Sequence, residues 1–365
     1  MNVWVDKAQA CLVGVQIGDA LGQPVETMKR EEILQAQVQD QDGTVLKISG
    51  RPIEGFLPAI QKRISQTAQL IAGDTTDDWQ LTRAVARSLI ASGGYDQNSM
   101  ARSHIAALFE TNVGWGGTTK RGIKEIFQWH LSNGQAGRSP QVMAWEVPVS
   151  EAGLPKVAGN GVAMKVSSLA IFYAINTSAH TVECGEPSDE MEGLMPMVEK
   201  LAGLTHPSSE AFLTAYALAV TISRLLVKPV RTLQDRADLI RYLRHRVGEA
   251  ERCIRRSDKF PIGEAVEHLG KVAGDPEAVF REITPGFRAG QSVLYAIGMF
   301  LCYPTNFRKA VLTAVNDGGD SDSTASMVGA LVGANCGLEV IPEEWRTFRP
   351  EFQESIELGS SLCGC

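Results

Sequence analysis

The chain has 365 residues, of which 44% are hydrophobic and 21% are charged, and its net charge is −7. These values are ordinary for a soluble globular protein with one large domain or two, and the lack of a basic stretch interleaved with aromatic residues argues against nucleic acid as the main partner. The N-terminal residues show no signal-peptide pattern and the seven cysteines include no Cys-x-x-Cys pair, which together predict a cytoplasmic protein with reduced thiols.

Helical periodicity dominates the chain from its N-terminus onward. Residues 8–22 place apolar residues at helical spacing among small ones, which predicts a helix that packs closely on a neighbour. Residues 40–43 predict a turn, and the β-branched residues in 44–48 predict a short strand or an irregular loop. Further helices, separated by glycine-rich breaks, are predicted over residues 80–92, 166–175, 208–227, 231–254, 292–301 and 326–337.

The most apolar long stretch, residues 211–227, also contains Thr214 and Arg224. Because charged residues are rare inside membrane spans, this stretch is predicted to be a buried helix, and no membrane partner is expected. Strand-like runs are few and no low-complexity linker divides the chain. The sequence therefore predicts an all-α fold in one domain that covers residues 1–365 and ends in a flexible tail at residues 356–365.

Two aspartate-rich strings carry most of the chemical information. Residues 73–78 contain three aspartates, residues 318–324 contain two aspartates with hydroxyl residues beside them, and each string leads into a predicted helix. Clustered carboxylates repel one another unless a cation neutralises them, and carboxylates with hydroxyls are the ligands that Mg²⁺ and Mn²⁺ prefer. Aspartate and threonine also cap helices, but capping accounts for only one residue in each string. A metal site is therefore favoured over two helix caps.

Other glycine-rich stretches do not match the common nucleotide-binding motifs. Residues 159–164 lack the Gly-x-Gly-x-x-Gly spacing, and residues 114–120 lack the Gly-Lys-Ser/Thr ending of a phosphate-binding P-loop. Both stretches can still offer backbone N–H groups to phosphate oxygens. No Gly-x-Ser-x-Gly or His-Glu-x-x-His motif is present, which removes the common serine-hydrolase and zinc-protease interpretations.

Four motifs follow one another along the chain. They are Gly18-Asp19-Ala20-Leu21-Gly22 within residues 14–26, Thr76-Asp77-Asp78 within residues 73–82, Gly159-Asn160-Gly161 within residues 159–165, and Gly318-Gly319-Asp320-Ser321-Asp322-Ser323-Thr324 within residues 290–337. In this order they resemble the ADP-ribosylglycohydrolase family, which includes dinitrogenase reductase-activating glycohydrolase, the vertebrate ADP-ribosyl-acceptor hydrolases and the jellyfish J1 crystallins. The resemblance covers nearly the whole chain.

The resemblance implies a single all-α helical domain with a binuclear Mg²⁺ or Mn²⁺ centre at the base of a cleft. Residues 30–72 are long enough to be an insertion that varies within the family. Family members usually have Thr where Ser323 stands, and a serine hydroxyl can also coordinate a cation. By motif position, the implied metal ligands are Thr76, Asp77, Asp78, Asp320, Asp322 and Ser323.

The resemblance also implies residues that contact the substrate. Asn160 and Gly161 match a loop that lines the distal ribose, and a second loop, with Gly114, Gly116, Gly117 and Thr118, resembles one that covers the phosphates. His206 belongs to a Thr-His pair seen in the family, although a lone histidine entering a helix is as often a structural cap. Trp79 departs from the family, which has a small residue here; the indole either packs in the core or forms a pocket wall.

The implied activity is metal-dependent hydrolysis of the glycosidic bond between ADP-ribose and an acceptor, which is either a protein side chain, with arginine favoured, or a small conjugate. Asp78 and Glu26 are both candidates for the general base. The alternative is a non-catalytic or dual-role binding protein on the same scaffold, either an immunity factor whose partner is an ADP-ribosyltransferase or a crystallin-like structural protein. Loss of ligands would favour that alternative, but all six ligand positions keep an oxygen donor.

Overall fold

The computed structural model describes residues 2–40, 42–60, 70–133, 157–181, 193–254 and 258–364. Within these ranges the chain forms sixteen α-helices and one two-stranded antiparallel sheet. The strands are β1 (Val38–Gln39) and β2 (Val45–Lys47). The helices are α1 (Val3–Gly22), α2 (Arg30–Gln35), α3 (Asp77–Ser92), α4 (Gln97–Glu110), α5 (Gly117–Asn133), α6 (Ser167–Thr181), α7 (Leu194–Gly203), α8 (Ser209–Val227), α9 (Leu233–Cys253), α10 (Ile262–Val272), α11 (Pro276–Glu282), α12 (Ala289–Cys302), α13 (Phe307–Asp317), α14 (Ser321–Cys336), α15 (Glu343–Arg346) and α16 (Gln353–Leu362).

The predicted all-α fold is confirmed, although several helices extend beyond their predicted ends; helices α1, α3, α6, α12 and α14 all do so. Helix α1 begins five residues before the predicted start at residue 8, because the side chain of Asn2 accepts a hydrogen bond of 3.1 Å from the backbone N–H of Trp4 and caps the helix. Helix α14 begins at Ser321 instead of residue 326. Its first turn was hidden from the apolar pattern because it consists of polar residues.

Helices α1 and α14 form the closest-packed pair at the centre of the fold. A Cβ atom at Gly14 would overlap the carbonyl oxygen of Gly329, and one at Gly18 would overlap the carbonyl oxygen of Ala325. Only residues without a Cβ allow the two backbones to approach this closely. The close packing predicted for residues 8–22 is therefore confirmed, and its partner is the glycine-rich helix α14.

Helix α8 is the most apolar of the long helices. By length and composition alone it could cross a membrane, but 89% of its most apolar 18-residue window is buried inside the protein. The buried ammonium of Lys7 donates hydrogen bonds of 2.8 and 3.2 Å to the carbonyl oxygens of Leu225 and Leu226, near the end of the helix. The prediction of a buried helix is confirmed.

Two segments that the sequence left irregular are packed against the core. Residues 356–362, predicted as part of a flexible tail, belong to helix α16, where a Cβ atom at Gly359 would lie 2.6 Å from Cα of Gln9; this corrects the prediction, while Cys365 lies outside the described residues. Within residues 30–72, of which 41 and 61–69 lie outside the described residues, the Asn316 amide exchanges hydrogen bonds of 2.6 and 2.9 Å with the backbone of Ile53.

Candidate metal centre

Three helices bring the two aspartate strings together. Thr76 precedes helix α3, whose first two residues are Asp77 and Asp78, and Asp320 precedes helix α14. The N-terminal ends of both helices, the positive ends of the helix dipoles, contact the last turns of α1: Asp19 accepts a hydrogen bond from the backbone N–H of Thr76, and the carbonyl oxygen of Gly22 accepts one from the hydroxyl of Ser321. Helix α1 therefore brings the two strings together near Asp19.

Hydrogen bonds join the strings directly. The hydroxyl of Thr76 lies 2.7 Å from Asp19 Oδ1 and 3.1 Å from Asp322 Oδ2, and the hydroxyl of Ser323 donates a hydrogen bond of 3.2 Å to Asp78 Oδ2. All five side chains are buried. The predicted ligands of the two strings therefore share one buried cluster, in spite of their separation along the sequence.

Glu26 completes the acidic cluster from a third segment. One carboxylate oxygen each of Glu26, Asp320 and Asp322 lies within 4.8 Å of the other two. The two aspartates are buried, whereas Glu26 is half-buried and lies nearer to solvent. The structure thus places one of the two candidate bases at the accessible edge of the cluster and the other, Asp78, inside it.

Burial raises the pKa of every aspartate in the cluster. The pKa of Asp19 rises to about 7 because of its burial and, next, the charge of Asp322. The pKa values of Asp77, Asp78 and Asp320 are raised well above their usual range, mainly by burial and next by the same charge. Burial also raises the pKa of Asp322. Without a cation the cluster is electrostatically unfavourable, because buried like charges oppose one another's ionisation.

The residues fit a divalent cation. Asp78 Oδ1 is buried and has no hydrogen-bond partner among the described residues, and such an atom costs free energy unless a donor or a cation approaches it. The cluster offers carboxylate and hydroxyl oxygens from both strings, which is the donor set that Mg²⁺ and Mn²⁺ take. A cation here would relieve both the unpartnered oxygen and the mutual repulsion of the carboxylates.

The two predicted substrate loops lie beside the cluster. Asn160 donates a hydrogen bond of 2.7 Å to Asp320 Oδ2, and the backbone N–H of Gly116 donates one of 3.3 Å to Asp77 Oδ2. Gly116 and Gly117 are exposed, Gly114 and Thr118 are half-buried, and Gly161 is buried. Helix α5 begins at Gly117, so its N-terminal amide groups are available to an anion next to the acidic cluster.

His206 lies beneath the loop that carries Asn160 and Gly161, where its side chain is shielded from solvent. Its side chain is buried, and a Cβ atom at Gly161 would overlap the imidazole ring. The ring nitrogen Nδ1 lies 3.0 Å from the hydroxyl of Thr205, to which Lys165 Nζ donates a hydrogen bond of 3.3 Å. Burial lowers the pKa of His206 to about 3, so the ring is neutral near pH 7. The structure gives His206 a supporting position under Asn160 and Gly161.

Asp19 and Lys165 were not assigned a role from the sequence. Asp19 accepts hydrogen bonds from the backbone N–H groups of Thr76 and Trp79, so it fixes the start of helix α3 as well as contacting the acidic cluster. Lys165 is fully buried; its burial lowers its pKa to about 7, while the charge of Asp77 acts in the opposite direction. In both cases the sequence held one signal that could have indicated a role: a charged residue within a motif of apolar or small residues.

The side chain of Trp79 is 3% exposed and belongs to the main apolar cluster. Of the two interpretations of this residue, core packing is confirmed. The indole follows the metal-ligand positions directly, and its burial helps to hold the first turn of helix α3 in place.

Comparison with known proteins identifies the family. The family model of ADP-ribosylglycohydrolase matches residues 2–363. ADP-ribosyl-[dinitrogen reductase] glycohydrolase of Rhodospirillum rubrum is 27% identical, over 93% of this chain and 89% of its own length. ADP-ribosylarginine hydrolase Tri1 of Pseudomonas putida (strain GB-1) is 24% identical, over 93% of this chain and 73% of its own length.

The fold is also found in a solved structure. A chain of an ADP-ribosylglycohydrolase-related protein complex superposes with a TM-score of 0.64 at 21% identity, and the match covers 100% of this chain and 99% of that chain. At this identity the likeness shows a shared fold. Because the family model spans almost all of the chain, the protein belongs to the ADP-ribosylglycohydrolase family, whose members hydrolyse ADP-ribose linkages.

Proposed function

We propose that the protein is a metal-dependent hydrolase that releases ADP-ribose from a modified protein side chain, with arginine as the proposed acceptor, or from a small ADP-ribosyl conjugate. The observation that carries the proposal is the convergence of the two aspartate strings in one buried cluster, with Glu26 beside Asp320 and Asp322 and with a buried, unpartnered oxygen on Asp78. The proposed ligands of two Mg²⁺ or Mn²⁺ ions are Thr76, Asp77, Asp78, Asp320, Asp322 and Ser323. When bound, such ions orient vicinal hydroxyls of the substrate and make a nearby water more acidic.

The residues of the chain then have distinct tasks in the reaction. The N-terminal amide groups of helix α5 and the N–H groups around Gly116 bind the diphosphate. Asn160, fixed by its hydrogen bond to Asp320, orients the distal ribose. Precise orientation of the reacting carbon relative to the attacking water lowers the barrier, because the geometry is set before the reaction begins.

We assign the general base to Glu26 instead of Asp78. A base must lie within hydrogen-bond reach of the water whose proton it takes. Glu26 is half-buried at the edge of the cluster, whereas Asp78 is 1% exposed and already accepts a hydrogen bond from Ser323. Glu26 takes one proton from the attacking water, the water oxygen bonds to the anomeric carbon, and the bond from that carbon to the acceptor nitrogen breaks. The leaving nitrogen takes up the proton that Glu26 accepted, which returns Glu26 to its carboxylate form.

Arginine is the proposed acceptor because one relative, which matches over 93% of this chain, is named as an ADP-ribosylarginine hydrolase. The test is to strip the protein of metal, then incubate it with ADP-ribosylated arginine and ADP-ribosylated serine, with and without Mg²⁺ or Mn²⁺. Chromatography measures the ADP-ribose that is released. We expect release only with the metal, and faster release from arginine.

The outcomes separate the parts of the proposal. Faster release from serine would correct the acceptor and leave the metal-dependent hydrolase in place. No release from either substrate with saturating metal would contradict the enzyme and favour the binding-protein alternative. In that case tight binding of an ADP-ribosyltransferase would be the property to measure next.

A further inference from the structure

Arg30, the first residue of helix α2, contacts two carboxylates and an aromatic ring although it is partly exposed. It forms two hydrogen bonds of 2.9 Å with the carboxylate of Glu277 and an ion pair of 2.8 Å with Asp317. Its guanidinium also lies 4.2 Å from the ring centre of Phe280. Bidentate pairing and stacking on an aromatic ring both fix the orientation of a guanidinium.

Asp317, the buried partner of Arg30, lies close in sequence to the proposed metal ligands. The side chain of Asp317 is 2% exposed, whereas that of Glu277 is 66% exposed. Asp317 also accepts a hydrogen bond from the hydroxyl of Tyr295. It is the last residue of helix α13, and only Gly318 and Gly319 separate it from Asp320, the first proposed ligand of the second string.

The turn that carries Glu26 is attached to the same string. The backbone N–H of Thr27 donates a hydrogen bond of 2.7 Å to the carbonyl oxygen of Gly319, whose own N–H donates one of 2.9 Å to the carbonyl oxygen of Met28. Lys29 and Gly318 form an antiparallel bridge. Arg30 follows Lys29 in the chain, and its ion pair with Asp317 is a further contact between the turn and the residues next to Gly318.

Two contributions to the free energy oppose the observed position of the turn. Thr27 has a φ of 70°, a left-handed conformation that a β-branched residue rarely adopts unless its surroundings hold it there. The carboxylate of Glu26 also lies close to those of Asp320 and Asp322, and like charges repel. Both terms favour movement of Glu26 away from the cluster, and the backbone contacts of the turn together with the ion pair at its end oppose that movement.

We propose that Arg30 is a positioning residue, which holds Glu26 at the acidic cluster by anchoring the 26–30 turn to Asp317. The inference rests on the proposed function, because it assigns a task to Arg30 through the proposed base. It adds that the accessible carboxylate of the centre is set in place by the protein itself before a cation arrives. Arg30 touches neither the substrate nor the proposed cations in this assignment.

The test is a double-mutant cycle between Arg30→Met and Glu26→Gln, read by two measurements. The first is the dissociation constant of Mn²⁺ for the metal-stripped protein, measured by calorimetry, and the second is kcat. We expect Arg30→Met to weaken Mn²⁺ binding and to lower kcat by about tenfold each, because loss of an outer group that holds a carboxylate at a metal centre typically costs about 10- to 100-fold in affinity or activity. In the Glu26→Gln background, Arg30→Met should change neither by more than about twofold, because interacting residues are not additive.

Arg308→Met is the matched control. Arg308 also pairs with a carboxylate, that of Glu344, and its guanidinium lies 4.4 Å from the ring centre of Trp345, but none of these residues belongs to the proposed site. This variant should keep the Mn²⁺ affinity and kcat of the wild type. Arg30→Lys, which keeps the charge without the bidentate geometry, should restore part of the lost affinity.

An equal effect of Arg30→Met with and without the Glu26 carboxylate would overturn the inference, and so would a lowered melting temperature with unchanged Mn²⁺ affinity. If Arg30→Met did not fold, Asp317→Asn would replace it in the same cycle. Mn²⁺ affinity is measured without turnover. If the protein bound Mn²⁺ but released no ADP-ribose, the proposed function would be contradicted, and the Mn²⁺ affinities of the variants would still test the role of Arg30.

Discussion

Replacing Asp322 with Asn is expected to lower the release of ADP-ribose by at least about 100-fold while the protein remains folded, and Asp78→Asn is expected to do the same. Even groups that only orient metal ligands cost about 10- to 100-fold when removed, so the loss of a ligand itself should cost more. The fold should survive because each substitution keeps the shape of the side chain and removes one of several buried charges that repel one another. Asp238→Asn is the control that should leave turnover unchanged, because this half-buried carboxylate on helix α9 pairs with Arg241 and belongs to no proposed site.

The same variants have an expected signature in metal-free protein. Burial raises the pKa of Asp322 in the folded state, so the folded state holds this proton more tightly than the unfolded chain does. The stability that this provides is complete below the pKa of the unfolded chain, near 4, and is lost as the pH rises through the raised folded value. Asp322→Asn has no such proton to lose. Its melting temperature relative to the wild type should therefore be higher at pH 8 than at pH 5; turnover retained in both variants would leave metal catalysis without support.

Gly18→Ala is expected to have the largest effect on the fold. The added Cβ atom would overlap the carbonyl oxygen of Ala325 and force helices α1 and α14 apart. Overpacking of this kind typically costs about 1–3 kcal/mol, and here the obstacle is backbone that cannot move aside as a side chain could. Separation of the helices would also carry Asp19 away from Asp322, so Mn²⁺ affinity should fall together with stability.

Denaturant unfolding measures the stability of this variant, and Gly248→Ala is its control. Gly248 lies inside helix α9, with no atom within 4 Å of an added Cβ, so alanine there should raise stability by up to about 1 kcal/mol. If Gly18→Ala unfolded at the same denaturant concentration as the wild type and bound Mn²⁺ equally well, the close approach of α1 and α14 would not be what assembles the centre.

The sequence was sufficient for the helical fold because apolar periodicity and glycine spacing are local signals. It also indicated which two strings belong together, although that inference depended on the order of four motifs and not on any single string. The convergence of Asp78 with Ser323 is a product of helix packing that no local pattern records.

The sequence did not show which residues are buried by contacts with distant segments. Asp19 and Lys165 are single charged residues whose importance follows from their burial among distant segments, and burial of that kind is invisible in a linear pattern. The helical C-terminus was predicted as a tail because residues 359–365 are mostly glycine, serine and cysteine, and the sequence does not show that Gly359 packs against the backbone of Gln9. His206 matched a motif, but the motif did not show that its ring lies beneath the loop.

The most direct test of the account is to locate the cations. Crystals of the protein soaked in Mn²⁺ at a concentration that supports turnover would be measured at the manganese absorption edge. The account predicts two anomalous peaks in the cleft between the two strings, one of them in contact with Oδ1 of Asp78 and neither of them retained at full height in Asp322→Asn. Peaks only elsewhere on the protein, or none at this concentration, would contradict it.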